Sequence, residues 1–277
     1  GGTGGHLLSG IAVAREWKKL TEGGDVLLVG AKRALDQRIL ADADLPYRLI
    51  HAGGLKGKSI LERIQSLFLL ALGFLGSLWI VIRFRPHIVL GGGGYASAPA
   101  VLAAWITGQP IVLLEQNARP GATNRFLARF AQSVALGFPE GSAYFPHTQC
   151  VETGNPLRPE IEEIASEKRE EMDLSVDTHV EDSNPVTLLI LGGSQGSRSL
   201  NKAVCGALPK WKERGLDLRP LHATGPAELE QVQHAYQEAG IEAEIFPFIE
   251  DMASVYRRAS LALTRAGAMT VSELMAV

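Results

Sequence analysis

The chain has 277 residues, of which 46% are hydrophobic and 21% charged, and its formal net charge is −3. That length suits two α/β domains or one large one, and the charge balance argues against a chain that holds nucleic acid by bulk electrostatics. The two cysteines, Cys150 and Cys205, form no CxxC pair, which argues against a disulfide framework or zinc knuckle and fits a reducing compartment.

The chain opens with GGTGGHLLSG. A glycine cluster of this kind normally follows the C-terminal end of a β-strand, so the expectation is that a first strand was removed with the N-terminus. A helical pattern runs from 11 to 20. The runs DVLLVGA (25–31), YRLIHAG (47–53), HIVLGGGG (87–94), PIVLLEQN (110–117) and SVALGF (133–138) are short, β-branched or Leu-rich, and stopped by Gly, Asn or Pro. They predict buried strands. Helical patterns at 99–106 and 123–130 lie between them, and such alternation predicts βαβ units with a parallel sheet.

The stretch LFLLALGFLGSLWIVI (67–82) carries no charge. It falls short of the roughly twenty residues that a spanning helix needs. Lys56, Lys58 and Arg63 precede it and Arg83 and Arg85 follow. It predicts a helix packed on the sheet. A second reading is an amphipathic helix at a membrane surface, in which Phe68, Leu72, Leu75 and Trp79, at helical spacing, would form an exposed apolar patch with the basic flanks near anionic lipid headgroups.

Residues 159–185 are acidic and poor in large apolar groups, which predicts a charged linker with one exposed helix. It separates a first domain at 1–158 from a second at 186–277. In the second the pattern restarts with VTLLILGGSQGSRSLN, a helix near 199–213, LRPLHATG, a helix near 226–239, EIFPFIED and SLALTRAGAMTVSELMAV. Thr270 is placed to N-cap the last helix, with Glu273 completing a capping box. No C-cap follows, so the second domain is expected to be truncated.

Three glycine loops, at 1–6, 91–95 and 192–196, each sit between a strand and a helix. Such junctions let backbone N–H groups approach an anion at a helix N-terminus. The dinucleotide fingerprint GxGxxG fits none of them, since from Gly2 and Gly4 its third glycine would fall at Leu7. The P-loop pattern fails at AGGLKGKS (52–59), where Ala52 stands for the first glycine.

The segments GGTGGH, GGGGYASAP, LEQNARPGATNRFLAR, GNPLR, LGGSQGSRSLN, FIEDM and RAGAMTVSE, in this order, resemble the MurG family. The resemblance implies an α/β glycosyltransferase-B architecture of two Rossmann-like domains with the active site between them. It implies an inverting hexosyltransferase of peptidoglycan synthesis, moving N-acetylglucosamine from UDP-GlcNAc to an undecaprenyl-diphosphoryl muramyl-pentapeptide. Two alternatives stay open: a related enzyme with another lipid acceptor, and a non-catalytic UDP-sugar-binding subunit. No cofactor, metal or nucleic acid is implied, and no paired acids stand where Mg²⁺ would bind.

Site roles follow from the resemblance. Thr3, Gly4 and Gly5 would lie near the donor diphosphate, and Asn117 and Arg158 match further donor positions. Ser194 would bind a donor phosphate. The backbone of Ile249 would read the uracil. Ala268, Met269, Thr270, Val271, Ser272 and Glu273 would close over the nucleotide, with Glu273 on the ribose hydroxyls, a sound carboxylate clamp. Gly94, Tyr95, Ser97 and Asn124 would line the acceptor side. Inverting transfer needs a base; His6 is the first candidate and Glu115 the second. A lipid acceptor implies peripheral attachment to the cytoplasmic face of an anionic inner membrane. The chain departs from the family pattern at Ser9 (usually proline), Leu114 (often histidine) and the additional Gly92. The family's sugar-contacting glutamine pair would fall beyond Val277.

Overall fold

Apolar runs bounded by glycine become parallel strands throughout. A computed structural model of the chain describes residues 4–21, 24–52, 60–174, 186–193 and 196–277. The chain divides into two units, Gly1–Arg158 and Pro159–Val277.

The first unit runs α1 (Gly4–Leu20), β1 (Leu28–Ala31), α2 (Ala34–Ala41), β2 (Tyr47–Ile50), α3 (Ile60–Phe84), β3 (Val89–Gly91), α4 (Ala98–Ile106), β4 (Ile111–Glu115), α5 (Ala122–Leu127), β5 (Ser133–Leu136) and β6 (Gln149–Glu152). β1 pairs with β2, and β3-β4-β5-β6 form a second sheet, all parallel. Each strand occupies only three to five residues of its predicted run: β1 takes its end, β2 and β5 its start, and β3 and β4 its middle. Val101 and Ala104 of α4, Ile111 and Leu113 of β4, Leu127 of α5, and Val134 and Leu136 of β5 build one core cluster. β4 is buried along nearly its whole length, as expected of a parallel strand covered on both faces. β6 escapes a sequence reading because it is a short, mostly exposed edge strand of polar composition. The first glycine cluster differs from expectation: Gly4, Gly5 and His6 already lie in the first turn of α1, and Gly1, Gly2 and Thr3 fall outside the described residues.

The second unit runs α6 (Pro159–Leu174), β7 (Val186–Leu191), α7 (Arg198–Glu213), β8 (Leu218–Ala223), α8 (Leu229–Ala239), β9 (Glu244–Phe246), α9 (Met252–Arg258), β10 (Leu261–Thr264) and α10 (Ala268–Ala276). Its parallel sheet has the order β10-β7-β8-β9. Ile190, Val204, Leu208, Val232 and Tyr236 pack between sheet and helices.

The expected linker is corrected here. Residues 159–174 form a helix belonging to the second unit, while 175–185 fall outside the described residues. Ile161, Ile164 and Ala165 are buried, and α6 packs against α9 and α10. Across this contact Arg257 Nη2 reaches Glu167 Oε1 and Oε2 at 3.0 and 2.9 Å. Three apolar residues at one helical spacing are enough to seat a helix whose other faces are acidic. Ile164→Ala should therefore destabilise the second unit by about 2–4 kcal/mol, while Glu162→Ala on the exposed face should stay within about 0.5 kcal/mol. Urea unfolding that reports equal effects would return the segment to a linker.

Candidate active site

In the first unit the polar groups gather where β3 and β4 end, the carboxyl edge at which parallel sheets bind ligands. Glu115, the last residue of β4, is 2% exposed. A buried carboxylate must be hydrogen-bonded, and this one receives four N–H groups. Oε1 accepts from Asn117 N at 3.0 Å and Asn117 Nδ2 at 2.8 Å. Oε2 accepts from Asn124 Nδ2 at 2.9 Å and Gly121 N at 3.3 Å. The Asn124 amide also reaches the Leu114 carbonyl at 2.8 Å, and its buried Oδ1 has no hydrogen-bond partner. With four donors on its four lone-pair sites, Glu115 shapes the loop to α5 and is a poor candidate for the base.

His6 lies in the first turn of α1, and its Nδ1 is 2.7 Å from Gln116 Oε1. Gln116 Nε2 donates to the Gly92 carbonyl at 3.3 Å. Asn155 Nδ2 donates to the Gln116 carbonyl at 3.0 Å. Burial pushes the His6 pKa below the ordinary histidine value, against the opposing pull of the Gln116 hydrogen bond. The ring is therefore neutral at pH 7. Gly93, at φ +87°, fills the space between: a Cβ there would sit 3.2 Å from Asn124 Nδ2 and 3.4 Å from His6 Nδ1. Gly94 also has positive φ. Ser97 turns the loop by donating its hydroxyl to the Gly94 carbonyl at 2.9 Å, and Arg33 stands over the Tyr95 ring at 5.3 Å. Ser9, in place of the family's proline, donates its hydroxyl to Gly5 O at 3.0 Å inside α1.

In the second unit the corresponding turn follows β7. Gly193 and Gly196 have positive φ, and a Cβ on Gly196 would overlap the Thr224 carbonyl. Ser197 N-caps α7 through Leu200 N; Ser194 falls outside the described residues. Behind the turn lies a buried polar chain. Asn201 Nδ2 reaches the Thr224 carbonyl at 2.9 Å and Glu228 Oε2 at 3.0 Å. His222 lies 3.2 Å from Asn201 Oδ1 and 3.3 Å from the Tyr236 hydroxyl. Burial lowers the His222 pKa to about 4 and raises that of Tyr236.

Ile249 is buried just before α9. Ala268–Glu273 form the start of α10, whose N-cap is Gly267, not Thr270. The expected capping box is thus corrected: Thr270 and Glu273 are both inside the helix, and buried Glu273 Oε2 accepts from the Tyr256 hydroxyl at 2.9 Å. Arg158 ends the first unit.

On α3, Phe68, Leu75 and Trp79 are about 60% exposed and Leu72 39% exposed, joined by Ile82. Ser77, Ile80 and Val81 are buried on the other side, where the helix packs against α4 and β2. Arg83 and Arg85 are exposed at its end. Lys56 and Lys58 lie outside the described residues. A further exposed aromatic group, Trp105 and Phe126 packed on Phe130, was not legible in the sequence. No helix among the described residues is long and apolar enough to cross a membrane.

The glycosyltransferase family 28 N-terminal domain matches residues 1–136 and its C-terminal domain 187–277. The UDP-N-acetylglucosamine–N-acetylmuramyl-(pentapeptide) pyrophosphoryl-undecaprenol N-acetylglucosamine transferase of Pelobacter propionicus is 41% identical, covering 100% of this chain and 76% of that protein. The Myxococcus xanthus protein of the same name is 40% identical, covering 99% of this chain and 69% of that one. The crystal structure of Acinetobacter baumannii MurG superposes with a TM-score of 0.69 at 29% identity, covering 99% of this chain and 72% of that chain. The chain belongs to the MurG family. Its two units are the Rossmann-like domains of the glycosyltransferase-B architecture. A putative UDP-N-acetylglucosamine 2-epimerase from Listeria monocytogenes, at TM-score 0.60 and 17% identity over 95% of this chain and 71% of that one, shares the fold alone.

Within this MurG-family chain, sequence reasoning named His6, Glu115, Asn117 and Asn124 but passed over Gln116, Asn155 and the pair Asn201–His222. The signal that could have found Gln116 was a polar pair, Glu115-Gln116, ending an apolar parallel strand; Asn155 and Asn201–His222 depend on long-range contacts. Gly93→Ala should destabilise the first unit by about 1–2 kcal/mol through its positive φ alone, with the new Cβ pressing on Asn124 Nδ2; urea unfolding measures it. His222 gives the second unit a pH dependence. Its folded pKa near 4 is below the unfolded 6.5, so its contribution is full above pH 6.5 and is lost as pH falls toward 4. Roughly 3 kcal/mol should disappear across that window, and a His222→Gln variant should lack that slope.

Proposed function

We propose that this protein transfers N-acetylglucosamine from UDP-GlcNAc to the lipid-linked muramyl-pentapeptide, with inversion at the anomeric carbon. The observation that carries this reading is 41% identity along the whole chain to a transferase of that name. The site supports it chemically. His6, kept neutral by burial, takes the proton from the attacking hydroxyl of the muramyl sugar. That oxygen bonds to the anomeric carbon as the bond from this carbon to the UDP oxygen breaks, and the electron pair leaves with UDP. The positive-φ glycines before α7, and the α7 N-terminus with its Ser197 cap, suit a departing diphosphate, whose charge they stabilise without a metal. Glu115 holds Asn117 and the start of α5 in place. Arg158, Ile249 and the start of α10 with Glu273 take the donor roles that the resemblance implies.

The protein acts on a lipid-borne substrate from the membrane surface. The exposed Phe68, Leu72, Leu75 and Trp79 face supports peripheral docking, with Arg83 and Arg85 toward anionic headgroups.

Transfer of labelled GlcNAc to a short-chain muramyl-pentapeptide lipid, with EDTA present, tests the reaction on this chain and on a longer form matching its relatives end to end. Turnover that persists in EDTA is expected. His6→Ala should reduce kcat by about a hundredfold or more with UDP binding retained. UDP-GlcNAc binding without transfer by either form would move the assignment to another acceptor. A Phe68→Ser/Trp79→Ser variant should lose sedimentation with anionic vesicles yet keep its unfolding midpoint; retained sedimentation would remove α3 from the docking surface.

A further inference from the structure

Two hydrogen bonds decide which nitrogen of His6 carries the proton. Gln116 is 2% exposed, and its amide orientation is set by the Gly92 carbonyl, to which Nε2 donates at 3.3 Å and which the His6 ring also approaches. A carbonyl oxygen only accepts, so the NH2 end must face Gly92 and the Oε1 end must face His6. His6 Nδ1, 2.7 Å from that oxygen, must then be the N–H. A neutral imidazole with its hydrogen on Nδ1 has its lone pair on Nε2.

We propose that Gln116 is a positioning residue that holds neutral His6 in the Nδ1–H tautomer, so that Nε2 is the atom that takes the proton of the attacking hydroxyl. This rests on the reading of His6 as the base. During the step the hydroxyl O–H bond breaks and its proton ends on Nε2. The resulting imidazolium still donates from Nδ1 to Gln116, so the same hydrogen bond serves both charge states and nothing need reorient. A neutral amide is well suited to holding the ring, because it fixes the tautomer without the full negative charge that would favour the imidazolium at rest. The amide is itself fixed at its backbone. Asn155 donates to the Gln116 carbonyl, and the residue before it is the clamped Glu115.

The test combines a tautomer measurement with kinetics. In the ¹⁵N-histidine-labelled chain at neutral pH, long-range ¹H–¹⁵N correlation spectra identify the protonated nitrogen, and His6→Gln assigns the His6 signals. The expected result is a protonated Nδ1 and an unprotonated Nε2. Gln116→Met, which removes the acceptor, should shift His6 toward the Nε2–H form. It should lower kcat by about tenfold to a hundredfold and leave the KM for UDP-GlcNAc within about twofold. Gln116→Glu restores an acceptor but cannot donate to Gly92; it should keep Nδ1 protonated, and because its charge favours the imidazolium it should recover most of kcat only as the pH is raised. If Gln116 served only to pin the Gly92 loop, Gln116→Glu would fail together with Gln116→Met, and the proposal falls. An Nε2–H tautomer in the unsubstituted chain overturns it without recourse to any variant. The base reading fails separately: His6→Ala with undiminished kcat overturns it, and with it the catalytic use of the lock, even where the spectra show Nδ1–H.

Discussion

The first unit's site depends on one buried carboxylate. A charge at the carboxyl end of a parallel strand, shut away from water, is tolerable only when hydrogen bonds replace its hydration. Glu115 meets that requirement by drawing in the backbone and side chain of Asn117, the backbone of Gly121 and the amide of Asn124. Satisfying the charge therefore folds the loop, starts α5 in the right place and leaves the intervening Gln116 pointing at His6. Glu115, with its lone pairs occupied, thereby organises the residues around it.

The second unit solves a similar problem without a net charge at its centre. His222, fully buried in β8 and kept neutral, links Tyr236 of α8 to Asn201 of α7. Asn201 carries the connection on to the Thr224 carbonyl, against which Gly196 packs. The turn after β7 is thus braced from behind by this chain, in which the Asn201 amide also donates to the Glu228 carboxylate.

The fold alone does not choose the reaction. A UDP-N-acetylglucosamine epimerase has the same two-domain architecture, and function rests on the groups placed at the strand ends. This chain carries a histidine in the first turn of α1, glycine turns with positive φ, and a buried carboxylate, Glu273, that accepts from a tyrosine hydroxyl.

Fold class and most strand positions were legible in the sequence because they depend on local pattern. Short β-branched or Leu-rich runs stopped by glycine, alternating with helical patterns, match covered parallel strands in length and flanks. The apolar face of α3 was legible for the same reason, since helical spacing alone places Phe68, Leu72, Leu75 and Trp79 together. Three features were decided only by the tertiary structure. The acidic segment at 159–174 became a packed helix because α9 and α10 offer a surface for Ile161 and Ile164. Glu273 left its predicted cap because Gly267 starts α10 earlier and Tyr256 supplies a partner. Gln116 acquired its partners because β3 and β4 end where α1 begins. Each of these rests on contacts between residues distant in the chain, and a burial-driven hydrogen bond has no counterpart in local periodicity.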